Sequence, residues 1–281
     1  MKWIVTPRNN LDVQDQDAPI GLIWDSEDHS CAYDAVFTVL GDIWVYNPTM
    51  WTREFGLISS FAGKLGLSFQ QVFLKQKCYE DARNSVRILL HNKDPVAFPY
   101  GASGVDISEL FLHMFTGKSI GKVKYNCTEC GTASTSFIKI TSLFTTAHKR
   151  YNSVQEHIDG NNNKTKKCNN CGKENSRIFK YNSPTRFRMV EFTQYSQDIE
   201  ISKEITLLSE AGPVTLPIRE AVYYTGNHFV SRIISPTGEV WYHDGIETKC
   251  QCVSEGHVAD FSENSVKCHG NKRCVGVVYS V

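Results

Sequence analysis

Ten cysteines and nine histidines are spread over 281 residues, and some are spaced as chemistry requires. Cys127-Thr128-Glu129-Cys130 and Cys168-Asn169-Asn170-Cys171 are C-x-x-C pairs, each able to place two thiolates on one face of a tetrahedral metal. Gly131 and Gly172 follow them, and glycine accepts the left-handed backbone that folds such a knuckle back towards its own sulfurs. Four sulfur ligands leave no open coordination position, so the spacing predicts one structural zinc. Two disulfides, or four unrelated buried cysteines, are the competing reading. Cys250, Cys252, Cys268 and Cys274, with His257 and His269, could make a second site, but read first as ordinary thiols near the last strands.

Cys31 ends a polar run, Asp25-Ser26-Glu27-Asp28-His29-Ser30. It opens a stretch in which Ala32, Ala35, Val36, Val39, Leu40 and Ile43 recur at helical spacing. This predicts a buried helix beginning at the cysteine, with Ser30 as an N-cap that accepts from an amide two or three residues on. A helix N-terminus favours negative charge and hence the thiolate, the nucleophilic form. A lone helix cysteine is more often core than catalyst, so a base must be found for it. Pro236 and Gly238 mark a hairpin turn, with His228 and Asp244 eight residues either side of Pro236. These two are expected to face each other across paired strands. A carboxylate opposite an imidazole fixes its tautomer and steadies its positive charge. His243 is a rival base, but strand alternation turns it away from the face of Asp244. Taken alone, His228 reads more readily as a satisfied sheet histidine.

The elements that must position these groups fall into two textures. Residues 51–115 read as mostly helical, with Phe69, Val72, Phe73, Leu110, Phe111 and Met114 supplying apolar faces and Pro95, Pro99 and Gly101 interrupting them. From Lys122 onward, short alternating or β-branched runs such as Phe137–Ile140, Phe187–Phe192 and Val275–Tyr279 read as sheet. Asn152–Lys167 reads as an exposed polar loop, and the first twenty residues as an extended lead-in. Hydrophobic residues make up 41% of the chain, enough for a substantial core. Thirty basic residues balance thirty acidic ones, which argues against a nucleic-acid footprint. No run is long and apolar enough for a membrane helix, and the N-terminus turns polar too early for a signal peptide. Paired C-x-x-C spacing in place of a disulfide framework suits a reducing compartment, so an intracellular protein, cytoplasmic or nuclear, is expected.

Several stretches, in order, resemble the ubiquitin-specific proteases. Gly21-Leu22 through His29-Ser30-Cys31-Ala32-Tyr33-Asp34-Ala35 is similar to the cysteine box, and Asp106-Ile107-Ser108-Glu109-Leu110-Phe111 to an Asp-Ala-x-Glu-Phe helix. The knuckles match the zinc-bearing fingers, and Cys168 through Pro184 and Phe187 to Tyr195 follows the family's run into a central strand. Gly226-Asn227-His228-Phe229 and Trp241-Tyr242-His243-Asp244 resemble the histidine box, and Cys274–Tyr279 the closing strand. The resemblance implies an α+β, papain-like cysteine protease in one catalytic domain. Residues 1–120 would form the N-terminal segment and helical thumb, 121–186 the zinc-binding fingers and 187–281 the antiparallel β palm. It also implies a thiol isopeptidase cleaving after the C-terminal Gly-Gly of ubiquitin or a ubiquitin-like modifier, acting as a monomer. Cys31 would be the nucleophile, His228 its base and Asp244 the residue that orients the imidazole. Asp106, Glu109 and Asn227 are candidates for contact with the modifier's tail.

Two departures from the family pattern are expected to matter. An asparagine that donates to the oxyanion usually stands a few residues before the nucleophile. This chain has Asp25 and Ser26 there, so Ser26, His29 or a protonated Asp25 would have to assist the Cys31 amide. Asn227 replaces the usual glycine before the histidine. These differences leave open a SUMO- or other modifier-specific isopeptidase, or a module that binds a modifier without cleaving it. A zinc-ribbon nucleic-acid binder fits the balanced charge poorly.

Overall fold

The structure is a computed structural model that describes residues 18–140, 142–144, 151–162, 165–182, 186–192 and 199–281. The first seventeen residues of the expected lead-in, and Pro184 and Thr193–Tyr195 of the expected strand approach, lie outside the described residues. Five helices come first: α1 (Cys31–Tyr46), α2 (Pro48–Ile58), α3 (Ser60–Phe73), α4 (Tyr79–Lys93) and α5 (Ile107–Phe115). There follow β1 (Thr116–Asn126), β2 (Ala133–Ile140), β3 (Ser142–Phe144), α6 (Val154–Asn162), β4 (Thr165–Lys167), β5 (Glu174–Tyr181) and β6 (Phe187–Glu191). The chain closes with β7 (Glu204–Ser209), β8 (Gly212–Thr225), β9 (His228–Ile234), β10 (Glu239–His243), β11 (Val253–His257), α7 (Glu263–Lys267), β12 (Cys268–His269) and β13 (Lys272–Ser280). This is an α+β fold with helices leading and a large sheet following.

As expected, α1 begins at Cys31. It is buried almost all round, as a helix without a polar stripe must be. Its apolar side chains pack on β9 and β8 below and on α2, α3 and α4 beside it, in a core that also holds Phe69, Leu110, Phe111 and Met114. Phe73, expected on the same apolar face, is instead largely exposed and meets Trp44 edge-on at 6.2 Å.

Strand β8 is the spine of the sheet. Its first half pairs antiparallel with β7, which continues through β5 to β1 and β2. Its second half lies between β9 and β13, in the part of the sheet that also holds β10, β11 and β6. One long strand therefore carries the zinc-bearing strands and the histidine-bearing hairpin in fixed relation. A second core, with Leu207, Leu216, Tyr223, Val230 and Val277, fills the sheet face away from α1.

The region expected to be a loop between Asn152 and Lys167 contains α6, with Val154 and Ile158 buried one turn apart. Its start is a reciprocal cap: Ser153 Oγ accepts from the Glu156 amide, and Glu156 accepts from the Asn152 amide. Ser-x-x-Glu is a helix-start signature; the surrounding asparagines and lysines masked it.

Gly21 shows how tightly the lead to Cys31 is set. Its amide donates to Cys250 O, and a β-carbon at this position would lie 2.2 Å from the ring of His243. That ring is buried and fixed through Nε2 to Leu22 O and Lys249 O. We expect Gly21→Ala to cost about 1–3 kcal/mol through overpacking, read as a lower denaturant midpoint, while Ile23→Ala at an exposed neighbour stays within about 0.5 kcal/mol of wild type.

Candidate active site and metal centre

The turn before Cys31 is organised by two arginines of α4. Arg83 donates to Ile23 O at 2.8 Å, Ser30 Oγ at 3.0 Å and Asp34 Oδ1 at 2.7 Å, and lies 3.8 Å from Asp25. Arg87 donates to the Asp28 and Pro99 carbonyls and faces the Asp28 carboxylate. Ser30 stands at the N-cap without a side-chain cap bond, contrary to expectation. Its hydroxyl donates to Asp34 Oδ2 at 2.6 Å and accepts from Arg83 and from the preceding Asp25 amide. The hydroxyl is thus drawn into a buried ionic network instead of capping the helix. Sequence reading missed Arg83, Arg87 and Asp34 as a unit. The available signal was two arginines four residues apart among the buried positions Ala82, Val86 and Leu90 of α4, where unpaired charge is not tolerated.

Opposite the helix tip, β8 turns into β9 through Gly226 and Asn227, with φ of +54° and +73°. Left-handed backbone at both central residues is the two-residue hairpin geometry that asparagine and glycine favour, so the asparagine before the histidine is well suited to its place. Its side chain accepts from Tyr224 Oη, and its carbonyl lies 4.0 Å from Cys31 Sγ. Thr225 pairs with His228, so the turn sets the imidazole directly beside the cysteine.

His228 Nε2 is 2.8 Å from Asp244 Oδ1. The two are not directly opposite. The loop of Pro236, Thr237 and Gly238 pairs His243 with Ser231, which puts Asp244 beyond the last paired residue of β10, across from Val230. The expected pairing is displaced by two residues because the hairpin is centred one residue later than Pro236. A shift of two keeps both side chains on one face, and diagonal neighbours remain within reach. Burial alone would lower the pKa of His228, but hydrogen bonds and charge from Asp244 and Cys31 raise it to about 9. Asp244, despite its burial, is held at about 2 by His228 and by the Ile246 and Glu247 amides. His243 faces the other way, with its pKa lowered by burial. A ring whose Nε2 is tied to the carboxylate leaves Nδ1 as the nitrogen available to the thiol, so the arrangement can hold a charged imidazole beside a sulfur nucleophile.

The remaining candidates are dispersed. Asp25 Oδ1 accepts from the Glu27 and Asp28 amides, an acceptor role suited to an ionised carboxylate. Ser26 is exposed, and His29, with φ of +45°, packs its ring against Trp24. Asp106 caps α5 by accepting from the Ser108 amide, and Glu109 faces His113. Both carboxylates help burial to raise the pKa of Glu191, which accepts from Ser108 Oγ. An acidic group of three thus forms where α5 meets β6; Glu191 was not anticipated.

The two knuckles are built alike. Cys127 N donates to Thr132 O and Gly131 N to Cys127 O; Cys168 N donates to Lys173 O and Gly172 N to Cys168 O. Gly131 and Gly172 have φ of +69° and +72°. Pairing of β1 with β5 brings the knuckles together, and the four sulfurs lie within 4.8 Å of one another. Cys127–Cys171 at 3.4 Å and Cys130–Cys168 at 3.6 Å are far beyond a disulfide bond and close to the edge, roughly 3.8 Å, of a tetrahedron with 2.3 Å zinc–sulfur bonds. Hydrogen bonds from Thr132 and Asn170 lower the pKa of Cys130 to about 5. These four residues form a zinc site with a closed, structural ligand set. Among the described residues the other cysteines and histidines make no further such cluster.

No family model matches the chain, and no curated protein matches it. Solved structures do. The SAGA Ubp8/Sgf11/Sus1/Sgf73 DUB module bound to ubiquitin aldehyde is similar at TM-score 0.59 and 11% identity, covering 96% of this chain and 71% of that one. A SAGA DUB module bound to monoubiquitin is similar at TM-score 0.51 and 11% identity, over 93% and 68% of the two chains. The yeast SAGA DUB module in a further structure gives TM-score 0.50 at 11% identity, over 96% and 70%. The likeness establishes a shared α+β fold of helices and a large sheet. Those structures are multi-subunit, so the expectation of a monomer gains nothing from them. Among the described residues no helix is long and apolar enough to cross a membrane.

Elemental analysis of the purified chain should find one zinc. Cys168→Ser should lose it and unfold at markedly lower temperature, since structural zinc is worth on the order of 10 kcal/mol in small modules; full zinc content, or unchanged stability, would contradict a structural site.

Proposed function

We propose that this chain is a thiol isopeptidase that hydrolyses the bond after the C-terminal Gly-Gly of ubiquitin or a ubiquitin-like modifier. The observation that carries the reading is the line from the helix-tip thiol of Cys31 through the imidazole of His228 to the carboxylate of Asp244. Similarity in fold to structures described as bound to ubiquitin aldehyde and to monoubiquitin supports the choice of substrate class. On this reading Cys31 Sγ attacks the carbonyl carbon, and the protonated imidazole gives its proton to the departing amine. His228, now neutral, takes a proton from water as that water attacks the thioester and frees the carboxylate. Asp244 keeps the ring oriented through both steps.

The oxyanion would be held first by the Cys31 amide, which has no acceptor within its own helix because it belongs to the first turn. Ser26 and His29 are the side chains left to add a donor, since Asp25 serves as an acceptor; one donor fewer costs roughly 10²- to 10³-fold in rate. We assign residues 1–120 to an N-terminal segment and helical thumb, 121–186 to fingers that grip the modifier's body and 187–281 to a palm. Asp106, Glu109 and Asn227 would line the path of the tail. The acceptor role of Asp25 also favours a second reading, in which the chain binds a modifier and cleaves it weakly or not at all.

Probes carrying an electrophile after Gly-Gly on ubiquitin, SUMO and NEDD8 separate these readings. We expect one of them to label wild type and none to label Cys31→Ala; tight binding without labelling would favour the binding module. The pH profile follows from His228. An imidazole with its pKa raised to about 9 is charged below that value and loses its proton above it, so kcat/KM should fall as pH rises through about 9. Asp244→Asn should move that alkaline limb down towards 6.5, the ordinary value for histidine.

A further inference from the structure

Asp244 has two oxygens to satisfy in a nearly closed site, its side chain being 3% exposed. Oδ1 receives His228 Nε2 and the Ile246 and Glu247 amides. Oδ2 accepts from Tyr242 Oη at 3.2 Å. A carboxylate held only through one oxygen can turn about its last torsion, where the barrier is broad and shallow. One held through both cannot turn without breaking a bond at the second.

Tyr242 is itself braced. Its ring stacks on His269, centroids 4.3 Å apart and planes 22° apart. His269 Nδ1 is 2.9 Å from Arg232 Nη2, and because arginine only donates, Nδ1 accepts and the imidazole carries its proton on Nε2. Arg232 is fixed in turn by Glu255, through Nε at 2.6 Å and Nη2 at 3.3 Å, and by Tyr223 Oη and the carbonyls of Ser265 and Cys268. Arg232 and Tyr242 are direct partners across β9 and β10. His228 and Arg232 therefore stand on β9, Tyr242 on β10 and Asp244 just past the end of β10, and His269 and the Cys268 carbonyl of β12 reach Tyr242 and Arg232 from the β12–β13 hairpin.

Resting on the catalytic reading above, we propose that Tyr242 is a positioning residue: its hydroxyl, oriented by the His269–Arg232–Glu255 stack, locks the Asp244 carboxylate with Oδ1 aimed at His228. Burial and the charge of Asp244 hold the phenol well above its ordinary pKa, so it stays a neutral donor across the working range. The charged and titratable groups around this pair are Cys31, His228, Arg232, His243, Glu247, Glu255, His269 and Lys272. Asp244 and Cys31 raise the pKa of His228 against the effect of burial.

The test is Tyr242→Phe, which keeps the stacked ring and removes the donor. NMR titration of the His228 imidazole should give a pKa lower than wild type by half a unit or more, and the alkaline limb of kcat/KM should move down with it. kcat should fall about tenfold, the scale of one hydrogen bond to a charged group, with KM unchanged. In an Asp244→Asn background the same substitution should have no further effect on His228. Should none of the electrophilic probes label the chain, the catalytic reading fails, while the His228 titration still decides the role of Tyr242. An unchanged His228 pKa in a folded Tyr242→Phe variant, or a full additional shift in the Asp244→Asn background, would overturn the proposal.

Discussion

A thiol at a helix tip and an imidazole at a hairpin turn must be held against each other although about two hundred residues separate them in the chain. The fastener is His243, one residue before Asp244. Its Nε2 faces two carbonyls, Leu22 O and Lys249 O, and so must carry the proton; Nδ1 faces Thr38 of α1 at 3.5 Å. One buried ring, kept neutral by its surroundings, joins the segment leading to Cys31, the helix that begins there and the loop that follows Asp244. Leu22 N donating to Thr38 Oγ1, Gly21 N to Cys250 O and Trp24 N to Gly245 O complete the seam. Movement of α1 relative to β10 would break these bonds together, which is why the gap between Cys31 and the β8–β9 turn is set by the fold and not by the loops alone.

The same logic explains what the sequence disclosed. The start of α1, the C-x-x-C knuckles and the two faces of β10 were legible because each depends on local spacing: helical recurrence after Cys31, a glycine after each second cysteine, alternation of His243 and Asp244. The hairpin register was off by two because the centre of a three-residue loop cannot be located from Pro236 and Gly238 alone, yet parity preserved the facing of His228 and Asp244. Local rules survive small errors of register when they depend only on odd or even.

The parts that stayed hidden are long-range and ionic. Arg83 reaches from α4 to Asp34 and the turn before Cys31, and Arg232 reaches from β9 to Glu255 and the β12–β13 hairpin. The spacing of Arg83 and Arg87 signals that each needs a partner but not which group supplies it, since salt-bridged groups meet by tertiary packing. Ser30 follows the same rule: its hydroxyl joins Asp34 to Arg83 of α4 instead of capping the helix, and Arg83 lies outside the local sequence. Burying such charges confers little net stability, while leaving one of them without its partner is costly. We read these networks as devices that fix the geometry of the turn and the hairpin.

If Cys31 and His228 act as one chemical unit, the reactivity of the thiol must depend on the imidazole. The most direct measurement is the rate at which a small neutral alkylating agent modifies Cys31 as a function of pH, in wild type and in His228→Ala. Alkylation should be rapid near neutrality in wild type and drop sharply in the variant. Equal rates and matching pH profiles in the two proteins would contradict it.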